Sequence, residues 1–194
     1  MRTYTPADMR SIPAAAKKVF TGQIFDVYQW PQTMFDGASA TFEMIKRPDT
    51  IEVLCLVADK LVILYQQQPG TNFYYDLPSG RHDVESESEL DAAKREVLEE
   101  TGRSFARWHL IECKQPDPKI DRLIYTFVAW DQISQQAPHL DNGEKISEDL
   151  YLLPDAIKLI PKSNAKFIGA QFWKDLESFE QLKELPDLYD NRST

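Results

Sequence analysis

The chain reads as a mixed α/β protein with helices layered over a sheet. Three observations predict this: a nearly unbroken apolar run at residues 51–58 suited to a central strand, shorter β-branched and aromatic runs on either side of it, and one amphipathic helix over about residues 88–101 set between strands. Strands flanking a helix in this way suggest a mixed sheet sandwiched by helices, in an α+β or α/β layering.

Taken in order, residues 1–17 carry two prolines and mixed polarity and read as an arm. Ile24, Phe25, Val27, Tyr28 and Trp30 form a β-rich run, Asp36-Gly37 signals a turn, and residues 41–46 alternate again, so a hairpin is expected ahead of the main domain. Asp59-Lys60 turns the central strand into residues 61–65, and a shorter strand at 73–77 delivers the chain to Pro78-Ser79-Gly80. Beyond the helix, residues 108–113 and 123–130 read as strands joined by the loop 114–119; a polar loop at 131–146, a strand at 148–153 and helices at 154–160 and 164–179 follow. The last helix sets Phe167, Trp173 and Leu176 at core spacing, and the tail from Leu185 reads as polar and frayed. The expected division is an arm and hairpin over 1–47, a main domain over 48–180 and a tail over 181–194, with no repeats and no low-complexity segment.

At 194 residues and 42% hydrophobic content, the chain can bury one substantial core. The net charge of −9 and a pI near 4.9 oppose binding of nucleic acid, and Lys17-Lys18 and Lys46-Arg47 are isolated basic pairs. Cys55 and Cys113 lie in apolar stretches without a CxxC or zinc-type spacing, so buried free thiols and a reducing compartment are expected. The N-terminus lacks a signal-peptide pattern and no apolar run approaches a membrane span, which points to the cytoplasm and away from a membrane. His82, His109 and His139 stand apart from any serine or cysteine motif, and packing or surface roles are expected for them.

The helix itself carries the chemistry. Leu90, Ala93, Val97 and Thr101 form a core-facing stripe, Ser86 with Glu89 or Ser88 with Asp91 offers a capping start, and Gly102 suits the left-handed residue that closes a helix. Glu96, Glu99 and Glu100 crowd one strip of its surface, where like charges repel. A divalent cation with oxygen ligands turns that repulsion into attraction, and hard ions such as Mg²⁺ select carboxylates, carbonyls and water. For an acidic protein, such an ion would also bridge acid to a phosphorylated substrate.

This pattern resembles the Nudix hydrolase signature, Gly-x5-Glu-x7-Arg-Glu-U-x-Glu-Glu-x-Gly-U, with U a bulky apolar residue. Glu87, Arg95, Glu96, Glu99, Glu100 and Gly102 match in register, with Val97 at the first U. At about one occurrence in fifteen per residue type, six matches arise by chance on the order of 10⁻⁷ per starting position. Two positions depart: six residues separate Gly80 from Glu87 where the signature has five, which implies a longer loop, and Arg103 occupies the final apolar position, as if the turn after the helix were exposed.

The resemblance implies an α/β/α sandwich over residues 18–178, a homodimer whose leading hairpin reaches the partner's site, and Mg²⁺ or Mn²⁺ as cofactor. Carried over, Glu96 and Glu100 would be metal ligands, Glu99 a ligand or water-positioning base, and the Ser79 carbonyl a further ligand beside Gly80. Arg95 would hold Glu99 by a bidentate ion pair, Glu87 would orient, and the catalytic base would come from downstream, with Glu144 the candidate and Glu148 in reserve. The hairpin, the Leu77-Pro78-Ser79-Gly80 run and Pro118, sixteen residues past Gly102, are similar to the ADP-ribose pyrophosphatase branch. That branch often carries Gln-aromatic-Arg where this chain has Gln66-Gln67-Gln68, so a phosphate-holding arginine is missing and other nucleotide sugars or dinucleotides stay open. Trp30, Tyr28 or Phe35 would stack on a base, and Pro118 and Gly80 would border substrate. The expected reaction is hydrolysis of a nucleoside diphosphate derivative at its pyrophosphate; the contrasting expectation is a Nudix-fold module that binds a nucleotide sugar without turnover.

Overall fold

Strand β4 (Asp49–Val57) organises the molecule because its side chains alternate between two apolar surfaces. The computed structural model describes residues 2–140, 142–160 and 170–190. Ile51, Val53 and Cys55 face a core shared with Ala92, Ala93 and Val97 of α1 (Glu89–Thr101); Leu54 and Leu56 face a second core. That second core takes Ala156 of α2 (Leu153–Leu159), Trp173 of α3 (Ala170–Asp175) and Leu182 of α4 (Glu180–Lys183). Helices therefore cover both faces, and the class is α/β with a mixed sheet.

Sheet order runs β11 (Lys145–Leu152), β5 (Lys60–Gln67), β4, β10 (Ile124–Gln135), β8 (Arg103–Lys114). β10 is parallel to β4, and the remaining pairs along this path are antiparallel. β4 pairs with β5 only at its end, through Leu56 and Val57, whereas its beginning pairs with β7 (Ser79–His82). β6 (Tyr74–Asp76) pairs with β5. The parting of β5 from β7 along β4 opens the sheet where the chain enters the acidic helix.

The expected leading hairpin is larger than a hairpin. β1 (Lys17–Thr21), β2 (Asp26–Thr33) and β3 (Ser39–Lys46) form an antiparallel meander, and the two-residue β9 (Ile120–Asp121) adds to β3 in parallel. The N-terminal arm is pinned: Arg2 bonds Asp49 at 2.7 Å and Asp121 at 2.8 Å. Thr3 and the backbone N–H of Tyr4 donate to Glu89, which is wholly buried.

The tail departs from expectation. Leu185, Leu188 and Tyr189 pack on the two cores, and the Leu188 N–H donates to the Leu110 carbonyl at 2.9 Å. Apolar side chains spaced among polar ones gave this segment something to bury. β8 and β10 outrun the expected strands, so the polar loop after β10 begins later than expected; its Asp141 and the first part of the expected helix 164–179, with Phe167, lie outside the described residues. Trp173 and Leu176 are core, and Cys55 is fully buried. Cys113 is half-buried, and that burial pushes its thiol up to about 12. No helix of the described residues is long and apolar enough to cross a membrane.

Candidate active site

Local sequence shapes the helix that carries the acids. Ser88 is the N-cap, its hydroxyl accepting from the Asp91 N–H at 3.1 Å, and Gly102 closes the helix at φ 66°. The loop into the helix holds its extra residue in a turn where the Glu87 N–H donates to the Val84 carbonyl and Ser86 takes φ 66°. Glu87 thereby keeps its place despite the longer loop. β7 crosses in front of the helix with Gly80 directly over Glu96; a Cβ there would fall 1.9 Å from the Glu96 carboxyl carbon, so any larger residue would displace that carboxylate.

Three carboxylates meet around one guanidinium. Arg95 grips Glu87 through two bonds of 2.9 and 3.1 Å, reaches Glu96 at 2.7 Å and Glu99 at 3.2 Å, and donates to the Arg81 carbonyl at 3.1 Å. The expected bidentate partner, Glu99, is thus replaced by Glu87, because the turn swings Glu87 back over the helix while Glu99 points outward. Glu100 is buried and accepts from the Ser79 N–H at 2.8 Å. Burial holds its carboxyl well above the ordinary range against that hydrogen bond, and the charges of Glu96 and Glu144 add to the shift. Glu96 is raised for the same first reason; Arg95 opposes the shift, while Glu99 and Glu144 add to it. Glu144, immediately before β11, is thus near enough for its charge to act on both, although over forty residues separate it from them in sequence.

Residues 46–175 match the NUDIX domain family. The chain belongs to the Nudix family. It is 25% identical over 150 residues to the ADP-ribose pyrophosphatase of Bacillus subtilis (strain 168), covering 75% of this chain and 80% of that one. Among solved structures, an ADP compounds hydrolase superposes with a TM-score of 0.69 at 20% identity, covering 88% of this chain and 93% of that chain. A NUDIX hydrolase from Nitrosomonas europaea gives 0.57 at 20% identity, covering 76% and 97%. With the charged positions of the signature all present, this is a Nudix pyrophosphohydrolase.

The final position of the Nudix box does not mark an exposed turn. Arg103 is 6% exposed, bonds Glu148 at 2.7 and 3.0 Å and donates to Gln132 at 2.7 Å. Its charge is tolerated in the interior because three strong acceptor contacts replace water. Glu148, the reserve base, is thereby committed to an ion pair, whereas Glu144 is the downstream carboxylate whose charge acts on Glu96 and Glu100.

The substrate-element residues divide. Trp30 and Pro118 line one cavity of about 370 Å³ together with Phe42, Arg10 and Lys119, and Trp30 packs against Phe42 at 6.2 Å between ring centroids. Tyr28 lies outside that cavity, with the Lys18 ammonium 5.6 Å above its ring, and Phe35 is fully exposed. Among the described residues, no box carboxylate lines the Trp30 cavity. A larger cavity of about 720 Å³ adjoins the Nudix loop through His82, Asp83 and Val84 and is lined by Lys46 and Arg47. The Arg47 Nε is buried without a hydrogen-bond partner, and Arg122 lies near enough that Arg47 helps lower its pKa, though burial is the larger cause. Sequence reading passed over this arginine pair because only the fold joins residue 47 to residue 122. The His82 Nε2–H donates to the Glu87 carbonyl at 2.8 Å and the ring stands edge-on to Tyr125, a packing role.

Among the described residues no three His, Cys, Asp or Glu side chains stand gathered as an ion cage, since Arg95 lies between Glu96 and Glu99. The donor set nevertheless suits a hard divalent cation: oxygen ligands only, among them the buried Glu100 and the half-buried Glu96, whose raised pKa values reflect burial and mutual repulsion. Glu96, Glu99, Glu100 and the Ser79 carbonyl could hold such an ion, relieving both.

Proposed function

We propose that the protein hydrolyses the pyrophosphate bond of a nucleoside diphosphate derivative, with ADP-ribose or a related nucleotide sugar as substrate, giving a nucleoside monophosphate and a sugar phosphate. The observation that carries this reading is that the Nudix carboxylates are held in one place, Glu87, Glu96 and Glu99 by the Arg95 guanidinium and Glu100 by the Ser79 N–H, with the charge of Glu144 acting on Glu96 and Glu100. Mg²⁺ or Mn²⁺, when bound, would offset the charge of the diphosphate and make the attacking water a stronger acid. Glu144 takes the proton of that water as its oxygen bonds to phosphorus, and the bridging P–O bond breaks with its electron pair leaving on the departing phosphate. Arg95 fixes the carboxylates by holding Glu87, Glu96 and Glu99 at once, and Gly80 lets the backbone of β7 approach Glu96. Arg47 and Lys46 supply cationic contacts for the phosphates that Gln66, Gln67 and Gln68 cannot.

The β1–β3 unit is read as a dimerisation and substrate element joined to the hydrolase domain. Val19, Phe20, Ile24, Phe25, Phe35 and Ile45 leave it with much exposed apolar surface, and Trp30 lies in a cavity apart from the box carboxylates. A homodimer that brings this element to the partner's Nudix site accounts for both features.

The deciding experiment incubates the protein with ADP-ribose and Mg²⁺ and follows AMP release, with Glu100→Gln as control, against a panel of other sugar nucleotides, NADH and diadenosine polyphosphates. Release of AMP that the control abolishes supports the reading. Binding without turnover of any member would instead make this a nucleotide-sugar binding module, and turnover confined to a dinucleotide would change the substrate.

A further inference from the structure

The ion pair at the end of the Nudix box joins elements that the sheet keeps apart. β8, which begins at Arg103, and β11, which carries Glu148, are the two opposite edges of the β11-β5-β4-β10-β8 path. Arg103 nonetheless bonds Glu148 twice, and the same guanidinium holds Gln132 of β10. Gln135 of β10 adds a 3.3 Å bond to Glu148. Two backbone bonds fasten the intervening segment to the end of the Nudix helix: the Gln136 N–H donates to the Gly102 carbonyl and the His139 N–H to the Glu99 carbonyl, both at 2.8 Å. Gly102 is packed so tightly there that a Cβ would lie 1.9 Å from the Gln136 oxygen. Glu144 stands between this fastened segment and Glu148, four residues before the ion pair.

We infer that Arg103 is a positioning residue for Glu144: by locking the β11 edge to the strand that leaves the Nudix helix, it holds the Glu144 carboxylate facing Glu96 and Glu100. The Nudix signature has an apolar residue at this position; here a charged side chain couples the box to the downstream base. A guanidinium with two bonds to one carboxylate and a third to an amide fixes direction as well as distance, which an apolar contact does not. The inference rests on the proposed role of Glu144.

The test is a double-mutant cycle on the full chain with Arg103→Met, Glu144→Gln and both together, measuring kcat and KM for ADP-ribose hydrolysis. The expected result is a fall in kcat of about tenfold or more for Arg103→Met with KM within about twofold, and a double variant no slower than Glu144→Gln alone. Multiplying losses, or a kcat unchanged by Arg103→Met, would overturn the inference while leaving the hydrolase reading intact. A Glu144→Gln variant with full activity would overturn both the base assignment and the inference. Hydrogen exchange without metal or substrate gives a separate readout: the amides of Gln136, His139 and Lys145 to Glu148 should exchange faster in Arg103→Met, and unchanged protection counts against the lock. Should Arg103→Met fail to fold, Glu148→Gln, which keeps the shape and removes the charge, takes its place in the same cycle.

Discussion

Gly80 and the carboxyl group of Glu96 share one space, so close that a Cβ on Gly80 would overlap the Glu96 carboxyl carbon at 1.9 Å and its oxygens at 2.0 and 2.3 Å. The clash would fall on the far end of a flexible side chain, and Glu96 can swing away. Gly80→Ala should therefore fold while displacing one carboxylate of the site. A displacement near 1 Å costs about a hundredfold in rate, so kcat should fall by that order with the melting temperature little changed. Near-normal turnover would show that Glu96 does not work from this position.

Arg95 offers a second test, because its planar fork matches the two Glu87 oxygens. Arg95→Lys keeps the charge and loses the paired geometry. A hydrogen bond to a charged group contributes about 1.5–3 kcal/mol, so kcat/KM should drop by about tenfold or more. Steady-state kinetics at saturating Mg²⁺ would reveal it; equal rates would reduce Arg95 to a counter-charge.

Glu100 links the site to stability. Its folded pKa lies above the unfolded value of 4.5, so its favourable contribution is complete below 4.5 and is lost as pH rises through the folded pKa. Glu100→Gln keeps an acceptor for the Ser79 N–H and removes the buried charge. With chelator present, the variant should melt higher than the natural protein at neutral pH, and the gap should close toward pH 4.5. Added Mg²⁺ should raise the melting temperature of the natural protein and leave the variant nearly unmoved. A gap independent of pH would mean that Glu100 is not the buried charge at issue.

Trp30 separates stacking from packing. If it holds a base, Trp30→Ala should raise KM about tenfold, in line with ~1–3 kcal/mol per stacked base, with kcat nearly constant. Gel filtration alongside the kinetics distinguishes this from loss of a dimer. An unchanged KM would leave Trp30 as the packing partner of Phe42.

The helix and its caps were legible because their physics is local: Ser88, the stripe through Val97, and Gly102 lie within fifteen positions, and each signal acts through bonds of near neighbours. Ser86 shows the limit of that reading. Spacing revealed an extra residue, while only the turn shows how Glu87 still reaches Arg95. Arg103 was misread because its acceptors, Gln132 and Glu148, come from strands 29 and 45 residues away. The docked tail was missed for a similar reason, since Leu185 and Leu188 find their partners on other elements.

By itself the sequence determined the family and the helix that bears Glu96, Glu99 and Glu100, because these follow from residue type and short-range spacing. Tertiary structure alone decided that Gly80 sits against Glu96, that Glu87 rather than Glu99 takes the fork of Arg95, and that Arg103 ties the two sheet edges together. Those relations depend on how β7, β8 and β11 fold back on one another, and burial sets the strength of their charges; neither quantity exists until the chain has closed around its cores.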